Sequence, residues 1–213
     1  MKIYKIAFLL DKSNNWLEKD TKDFIKSYKK KYSFKIFYEY KKIKKFDIVI
    51  CLGNTTILKS KLLNNNRLNI TVHESNLPKD KGFSPVQYQI IKNKNIIHIC
   101  LIELDEKVDS GDILESSKMF FKGNELYDEI RNLQSKKTFQ LIKKFVDKYP
   151  NFKRKKQIGK SNFLKRRYPK DSELNIKKTI KENFNLLRIN NNKEWPSFFK
   201  FRGTTYIIKL YKK

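Results

Sequence analysis

The chain of 213 residues has little cysteine, glycine or proline, and few acids for its bases. It holds two Cys, six Gly and five Pro. So little Gly and Pro excludes collagen-like and low-complexity classes, and two cysteines in a chain this long do not suggest a disulfide framework. Both, Cys51 and Cys100, sit inside apolar runs and read as reduced, buried thiols of a cytosolic protein. No apolar run approaches the roughly 18 residues that a bilayer span requires. Met1–Leu10 carries lysines and a short apolar stretch with no small-residue cleavage site behind it, so no secretory leader is expected. Acids number 22 against 49 Lys and Arg, a formal charge of +27. Yet 39% of the chain is hydrophobic and 14% aromatic, which excludes a disordered basic tail. The expectation is a soluble cytoplasmic protein of one domain, or one domain with a small appendage, at about 100–200 residues per domain.

Most lysines are scattered through every segment in company with Asn and Ile. One stretch is denser: Lys153, Arg154, Lys155, Lys156, Lys160, Lys165, Arg166 and Arg167. It contains Gly159, Ser161 and Asn162 and has no helical or strand period, which predicts an exposed loop. Such a loop suits a solvated linker, the lip of a site for an anionic ligand, or a nucleic-acid patch. Charge alone does not separate these.

Ile3–Leu10 is a continuous apolar run, the mark of a strand buried on both faces. Asp11–Asn15 supplies turn and capping residues before a helix through about Lys31. Strands follow at 34–38, 47–52, 68–73 and 96–103, with a short helix near 57–63. A further strand is predicted at 113–121 and a long amphipathic helix at 124–149. Alternating strands and helices with unbroken apolar runs predict an α/β fold, a mostly parallel twisted sheet with helices on both faces. Ligands of such sheets bind at the carboxyl ends of the strands, which would gather 11–16, 53–56, 73–84 and 104–109 around one crevice. Past 150 come the basic loop, a helix at 172–184 and a hairpin turning at Arg202-Gly203. The expected division is a catalytic domain over 1–150 and a small α+β appendage over 151–213.

The informative segment runs Thr71-Val-His-Glu-Ser-Asn-Leu-Pro-Lys-Asp-Lys-Gly-Phe-Ser-Pro, and later Val108-Asp-Ser-Gly-Asp-Ile. A His ends a buried strand, a Ser, Leu-Pro and Gly loop follows, and an Asp-x-Gly turn comes after the next strand. This order resembles the folate-dependent formyltransferase family, and in finer detail its sugar N-formyltransferase branch of pseudaminic-acid-type pathways and peptide-synthetase formylation domains. His73, Ser75, Leu77, Pro78, Gly82, Pro85, Asp109 and Gly111 match in order. The Asn that the family carries two residues before its His is Thr71 here. The tail, with Trp195-Pro-Ser-Phe-Phe-Lys-Phe-Arg-Gly, also resembles the sugar-acting members.

The resemblance implies a Rossmann-like formyltransferase fold and 10-formyltetrahydrofolate as formyl donor. An amine attacks the formyl carbon, and negative charge develops on its oxygen. His73, Asp109 and Thr71 are the implied catalytic residues: His73 and Thr71 would stabilise the oxyanion, and Asp109 would tune the imidazole and relay protons. The donor's pterin is expected against Asn54, Thr55, Ile57 and Leu58 on one side and Leu104, Glu106 and Val108 on the other. For the acceptor, the helix start at Ser13, Asn15 and Trp16 offers free N–H groups to an anion. Lys79, Lys81, Gly82 and Ser84 would flank it. His98, mid-strand among apolar neighbours, is expected in the core.

The implied reaction is N-formylation of a nucleotide-linked amino sugar for glycan biosynthesis, by a monomer or homodimer with no metal and no membrane or nucleic-acid partner. Two alternatives remain open: a formyltransferase acting on an aminoacyl group, tRNA- or carrier-bound, and a basic nucleic-acid-binding protein that keeps an inactive formyltransferase-like fold.

Overall fold

The computed structural model describes residues 3–12, 16–54 and 58–213. Its strands are β1 (Tyr4–Leu10), β2 (Tyr32–Phe37), β3 (Ile48–Leu52), β4 (Asn69–His73), β5 (Lys81–Gly82), β6 (Ile96–Glu103), β7 (Ile113–Phe120), β8 (Phe163–Leu164), β9 (Ser197–Phe201) and β10 (Thr204–Ile208). Its α-helices are α1 (Glu18–Tyr28), α2 (Ser60–Leu63), α3 (Pro85–Ile91), α4 (Tyr127–Lys148) and α5 (Ile180–Arg188). The main sheet has the order β2-β1-β3-β4-β6-β7. The first four strands are mutually parallel; β6 pairs antiparallel with β4 and β7 antiparallel with β6, so β6 alone is reversed and β7 runs in the direction of the first four.

Strict side-chain alternation splits the buried strands between two cores. Ile6, Phe8, Ile48, Ile50, Ile70, Ile97 and Ile99 face one side, where Phe24 of α1, Val86 and Ile90 of α3 and Ile142, Phe145 and Val146 of α4 cover them. Ala7, Leu9, Val49 and Cys51 face the other, under Tyr40, Ile43 and Leu58. Helical cover is unequal. Among the described residues the second face has only the four-residue α2 and a 3-10 turn at Tyr40–Lys42.

Three local departures from the expected elements have clear causes. Helix α3 was not anticipated; Ser84 in a left-handed turn followed by Pro85 in the first helical turn starts it. The helix expected at 172–184 is α5 at 180–188, because Thr179 and Glu182 form a capping box that fixes its start. His98 is half-exposed beside Lys118 and outside the core, since its strand parity turns it away from Ile97 and Ile99. Burial, then Lys118 and Lys94, lower its pKa. The hairpin β9–β10 forms as expected, with Arg202 and Gly203 both at positive φ.

After α4 the chain returns over the body. Phe152 meets Phe145 edge-on and stacks on Tyr149, and Ile189 joins the first core. Arg188 is 1% exposed and reaches Glu125 at 3.5 Å, with its Nε on Asn185 Oδ1 at 2.8 Å. The basic stretch is exposed except at its end, where Arg167 is buried on Asp171 and Asn190. No helix among the described residues is long and apolar enough to cross a membrane.

The Arg188–Glu125 pair yields a stability prediction. Removing one partner of a buried pair leaves the other charge uncompensated, so Glu125→Ala should cost about 3–5 kcal/mol in urea unfolding. Lys200→Ala, at an exposed 4.0 Å contact to Glu173, should stay within about 0.5 kcal/mol. Burial pushes the Glu125 carboxyl up, but the N–H groups of Lys122, Glu125 itself and Gly123, with Arg188 behind them, outweigh it and hold the group below the ordinary carboxylate range. A depressed folded pKa gives stability that is present above the unfolded value and lost as pH falls through the folded one. The gap between wild type and Glu125→Ala should therefore narrow in acid titrations below the ordinary carboxylate value.

Candidate active site

Strand parity aims Asn69, Thr71 and His73 of β4 at the face that Cys51 of β3 also presents, with Thr71 in register with Cys51. His73 ends the strand and is 5% exposed. Its Nδ1 lies 3.3 Å from Asp109 Oδ2 and its Nε2 lies 2.8 Å from the backbone oxygen of Asp80. Both ring nitrogens thus face oxygens, which fixes the orientation of the ring from two sides. Asp109 Oδ2 also accepts from the Gly82 N–H at 2.8 Å, so one carboxylate oxygen ties the Asp-x-Gly turn to β4 and to the loop after it.

The route by which Asp109 arrives differs from the expectation. A carboxyl end beside the other carboxyl ends needs a parallel strand, and β6 is antiparallel: Glu103 pairs with Ile70 and Cys100 with His73. The connection 104–111 leaves near the start of β4, where the Leu104 N–H donates to Asn69 O, and doubles back to reach His73. Asp80, Gly82, Ser84 and Asp109 all have positive φ, so backbone strain concentrates on the two loops that meet at the ring.

The basic segment is stitched to both loops. Gln157 Nε2 donates to the backbone oxygens of Asp109 and Gly111, each at 2.8 Å. Asn162 pairs with Asp80 through backbone N–H and side chain, and β8 pairs with β5.

These elements enclose a cavity of about 630 Å³. His73, Asp109 and Thr71 line it, as do Asn54, Leu58, Leu104 and Val108 of the expected donor groove and Trp16, Gly82 and Ser84 of the expected acceptor side. Three expected residues are not brought to it. Lys81 is buried, with its Nζ on Ser110 Oγ at 3.2 Å and over the Phe163 ring, because β5–β8 pairing turns it inward. Lys79 is exposed outside the cavity lining. Glu106 turns away to accept the Ser60 N–H at the start of α2. Ser13, Asn15, Thr55 and Ile57 lie outside the described residues. Thr71 donates its hydroxyl proton to Cys51 O at 2.8 Å, so that proton is not aimed into the cavity. Arg131, Gln134, Asn190 and Trp195 line the cavity without having been anticipated, and Arg166 and Arg167 bring to it the end of the basic stretch, one of whose readings was the lip of an anion site. Burial pushes the Cys51 thiol up to about 12 and the Cys100 thiol up to about 11. Among the described residues no cluster of His, Cys, Asp and Glu could hold a metal.

A family-wide sequence profile described as Formyl transferase matches residues 17–143, more than half of the chain. The chain belongs to the formyl transferase family. Among curated formyl transferases, the methionyl-tRNA formyltransferase of Orientia tsutsugamushi (strain Boryong) is 28% identical over 102 residues, 47% of this chain and 33% of that protein. That of Campylobacter lari is 29% identical over 180 residues, 78% of this chain and 54% of that one. The chain thus spans about a third to a half of such relatives. Solved structures share the fold. A methionyl-tRNA formyltransferase from Clostridium thermocellum superposes with TM-score 0.83 at 19% identity, covering 98% of this chain and 92% of that one. A sugar N-formyltransferase from Shewanella sp FDAARGOS_354 gives 0.77 at 16% identity, covering 100% and 99%. HypX from Aquifex aeolicus, in complex with tetrahydrofolic acid, gives 0.75 at 12% identity, covering 98% of this chain and 38% of that one.

Gly82 permits the junction of β5 and β8. A Cβ there would lie 2.6 Å from Leu164 O, at a φ of +94° that side chains rarely adopt. Gly82→Ala should destabilise the fold by roughly 1–3 kcal/mol. Hydrogen exchange should quicken at the Lys81 and Phe83 amides, whose acceptors are Asn162 O and Leu164 O. Unchanged protection there would show that the basic segment is not held by this junction.

Proposed function

We propose that the protein transfers a formyl group from 10-formyltetrahydrofolate, the formyl donor of its family, to the amine of a nucleotide-linked amino sugar. The observation that carries the reading is the His73–Asp109 pair at 3.3 Å on the cavity wall. The donor supplies an activated formyl carbon. Leu58, Leu104 and Val108 form an apolar wall with Asn54 beside it, which suits a flat pterin.

Transfer forms a bond from the acceptor nitrogen to the formyl carbon, breaks the bond to the folate nitrogen, and moves a proton from the first nitrogen to the second. Asp109 Oδ1 makes no hydrogen bond among the described residues and is the oxygen available to hold that proton. His73, held at the end of β4 between Asp109 and the Asp80 backbone oxygen, is placed to stabilise negative charge developing on the formyl oxygen. Thr71 contributes shape and holds β4 to β3 through Cys51.

The sugar acceptor is supported by likeness over both whole chains to the Shewanella enzyme and to a 4-N formyltransferase from Francisella tularensis, the latter with TM-score 0.73, 22% identity and 97% coverage of each chain. The methionyl-tRNA relatives favour a second reading, an aminoacyl acceptor. Such work belongs to the cytoplasm, where folate donors and nucleotide sugars are made.

Incubation with the donor and a panel of nucleotide-linked amino sugars, read by mass spectrometry, should show the gain of one formyl group. His73→Ala and Asp109→Asn should each lower turnover by about 10²–10³ or more while thermal unfolding stays cooperative. Thr71→Val should stay within about tenfold, less than the loss of an oxyanion donor. Formylation of aminoacyl-tRNA but of no sugar would move the acceptor to the second reading. Transfer to neither acceptor would leave an inactive fold.

A further inference from the structure

Arg131, on the second turn of α4, lines the cavity and is held in place by neutral groups only. Its guanidinium lies 4.6 Å from the Trp16 ring centroid and 5.2 Å from that of Tyr127. Its Nε donates to Tyr127 Oη at 3.2 Å and its Nη1 to Gln134 Oε1 at 3.0 Å. With the Gln87 amide turned so that its oxygen faces in, Nη2 donates to that oxygen at 3.2 Å. Arg131 makes no ion pair among the described residues, whereas Arg154 and Arg188, which do not line the cavity, pair with Glu103 and Glu125. Glu74 reaches it only through Gln134, whose amide nitrogen donates to the Glu74 carboxylate.

A guanidinium has five N–H groups. Three go to the partners above, which leaves one on each terminal nitrogen. That pair is the fork that binds phosphate or carboxylate with two parallel hydrogen bonds. Two aromatic planes and two amides fix its orientation before any ligand arrives. A part-buried cation without a counter-charge is costly unless an anion joins it.

Its side of the sheet says which substrate that anion belongs to. Leu58 and Leu104, of the donor groove, pack with the second core, while Trp16 packs with the first, under the helices that include α4. His73 lies between, at the end of β4. The chain Arg131–Gln134–Glu74 runs from this fork to the residue next to His73.

We propose that Arg131 is the oxyanion clamp of the acceptor subsite and takes a phosphate group of the acceptor while its amine lies at His73. This deepens the formyl-transfer reading and rests on it for the word acceptor. It also replaces the lysines of the 79–81 loop as the expected phosphate contact.

Both tryptophans of the chain, Trp16 and Trp195, line the cavity, and Trp16 stacks on the clamp, so tryptophan fluorescence reports its occupancy. Inorganic pyrophosphate titrated into the full-length protein should give a saturable change. Arg131→Gln should raise the half-saturation concentration by about tenfold or more, and Arg131→Lys should fall between, keeping charge without the fork. Tetrahydrofolate binding should be the same in all three. Loss of pyrophosphate binding by a folded Arg131→Gln with folate binding intact supports the clamp, even if no amino sugar proves to be a substrate. Equal pyrophosphate affinity in wild type and Arg131→Gln, no saturable change in wild type, or a parallel fall in tetrahydrofolate affinity would each overturn it; the last would give the fork to the donor's carboxylates.

Discussion

Asp109 meets His73 only because the chain can double back after an antiparallel strand. The close approach that allows it is at Gly111, where a Cβ would lie 1.8 Å from the Glu103 backbone oxygen, less than any atom pair tolerates. The Glu103 N–H donates to Asp112 O across the same neck, so the loop closes on itself within one backbone width. Widening that neck by a side chain would swing the Asp-x-Gly turn away from β4. The spacing between carboxylate and imidazole is therefore set by backbone packing a few residues away, and the two side chains inherit it.

The same loop is braced from outside by the segment with the densest positive charge. Its basic side chains point largely to solvent, while Gln157, Asn162 and the backbone of 163–164 do the bracing. Charge and structural role thus fall on different residues of one stretch. Of the lysines that looked like ligand contacts, Lys79 is exposed outside the cavity and Lys81 is buried against Ser110 and Phe163. The arginines that line the cavity, Arg131, Arg166 and Arg167, sit on three different backbone settings: a helix, an exposed strap and its buried end.

Much of this fold was legible because buried strands leave a strong trace. Ile3–Leu10, 47–52 and 96–103 are apolar runs too short for helices, and all three are strands. Their direction left no trace, since an interior antiparallel strand covered on both faces has the same composition as a parallel one. Helix α3 was missed although Ser84-Pro85 is a start signal, because seven residues with two glutamines carry little periodicity. The helix near 180 was placed early although Thr179-x-x-Glu182 marks its start. At the site, His73, Asp109 and Gly82 were legible through an ordered motif, since their spacing along the chain reflects their meeting in space. Arg131 was not. One arginine among 49 basic residues is distinguished only by what surrounds it, and Trp16, Gln87 and Gln134 come from three distant segments.

Cys51 has a consequence for the chemistry of the cavity it lines. A thiolate facing an activated formyl carbon would compete with the amine and divert the group into a thioester. Burial raises this thiol to about 12, so the nucleophilic thiolate is suppressed at neutral pH. Thr71 donates to the backbone oxygen of the same residue, which fastens it within the sheet. The strand core thus does more than support the site: its low polarity makes this sulfur an inert part of the wall and no rival to an incoming amine.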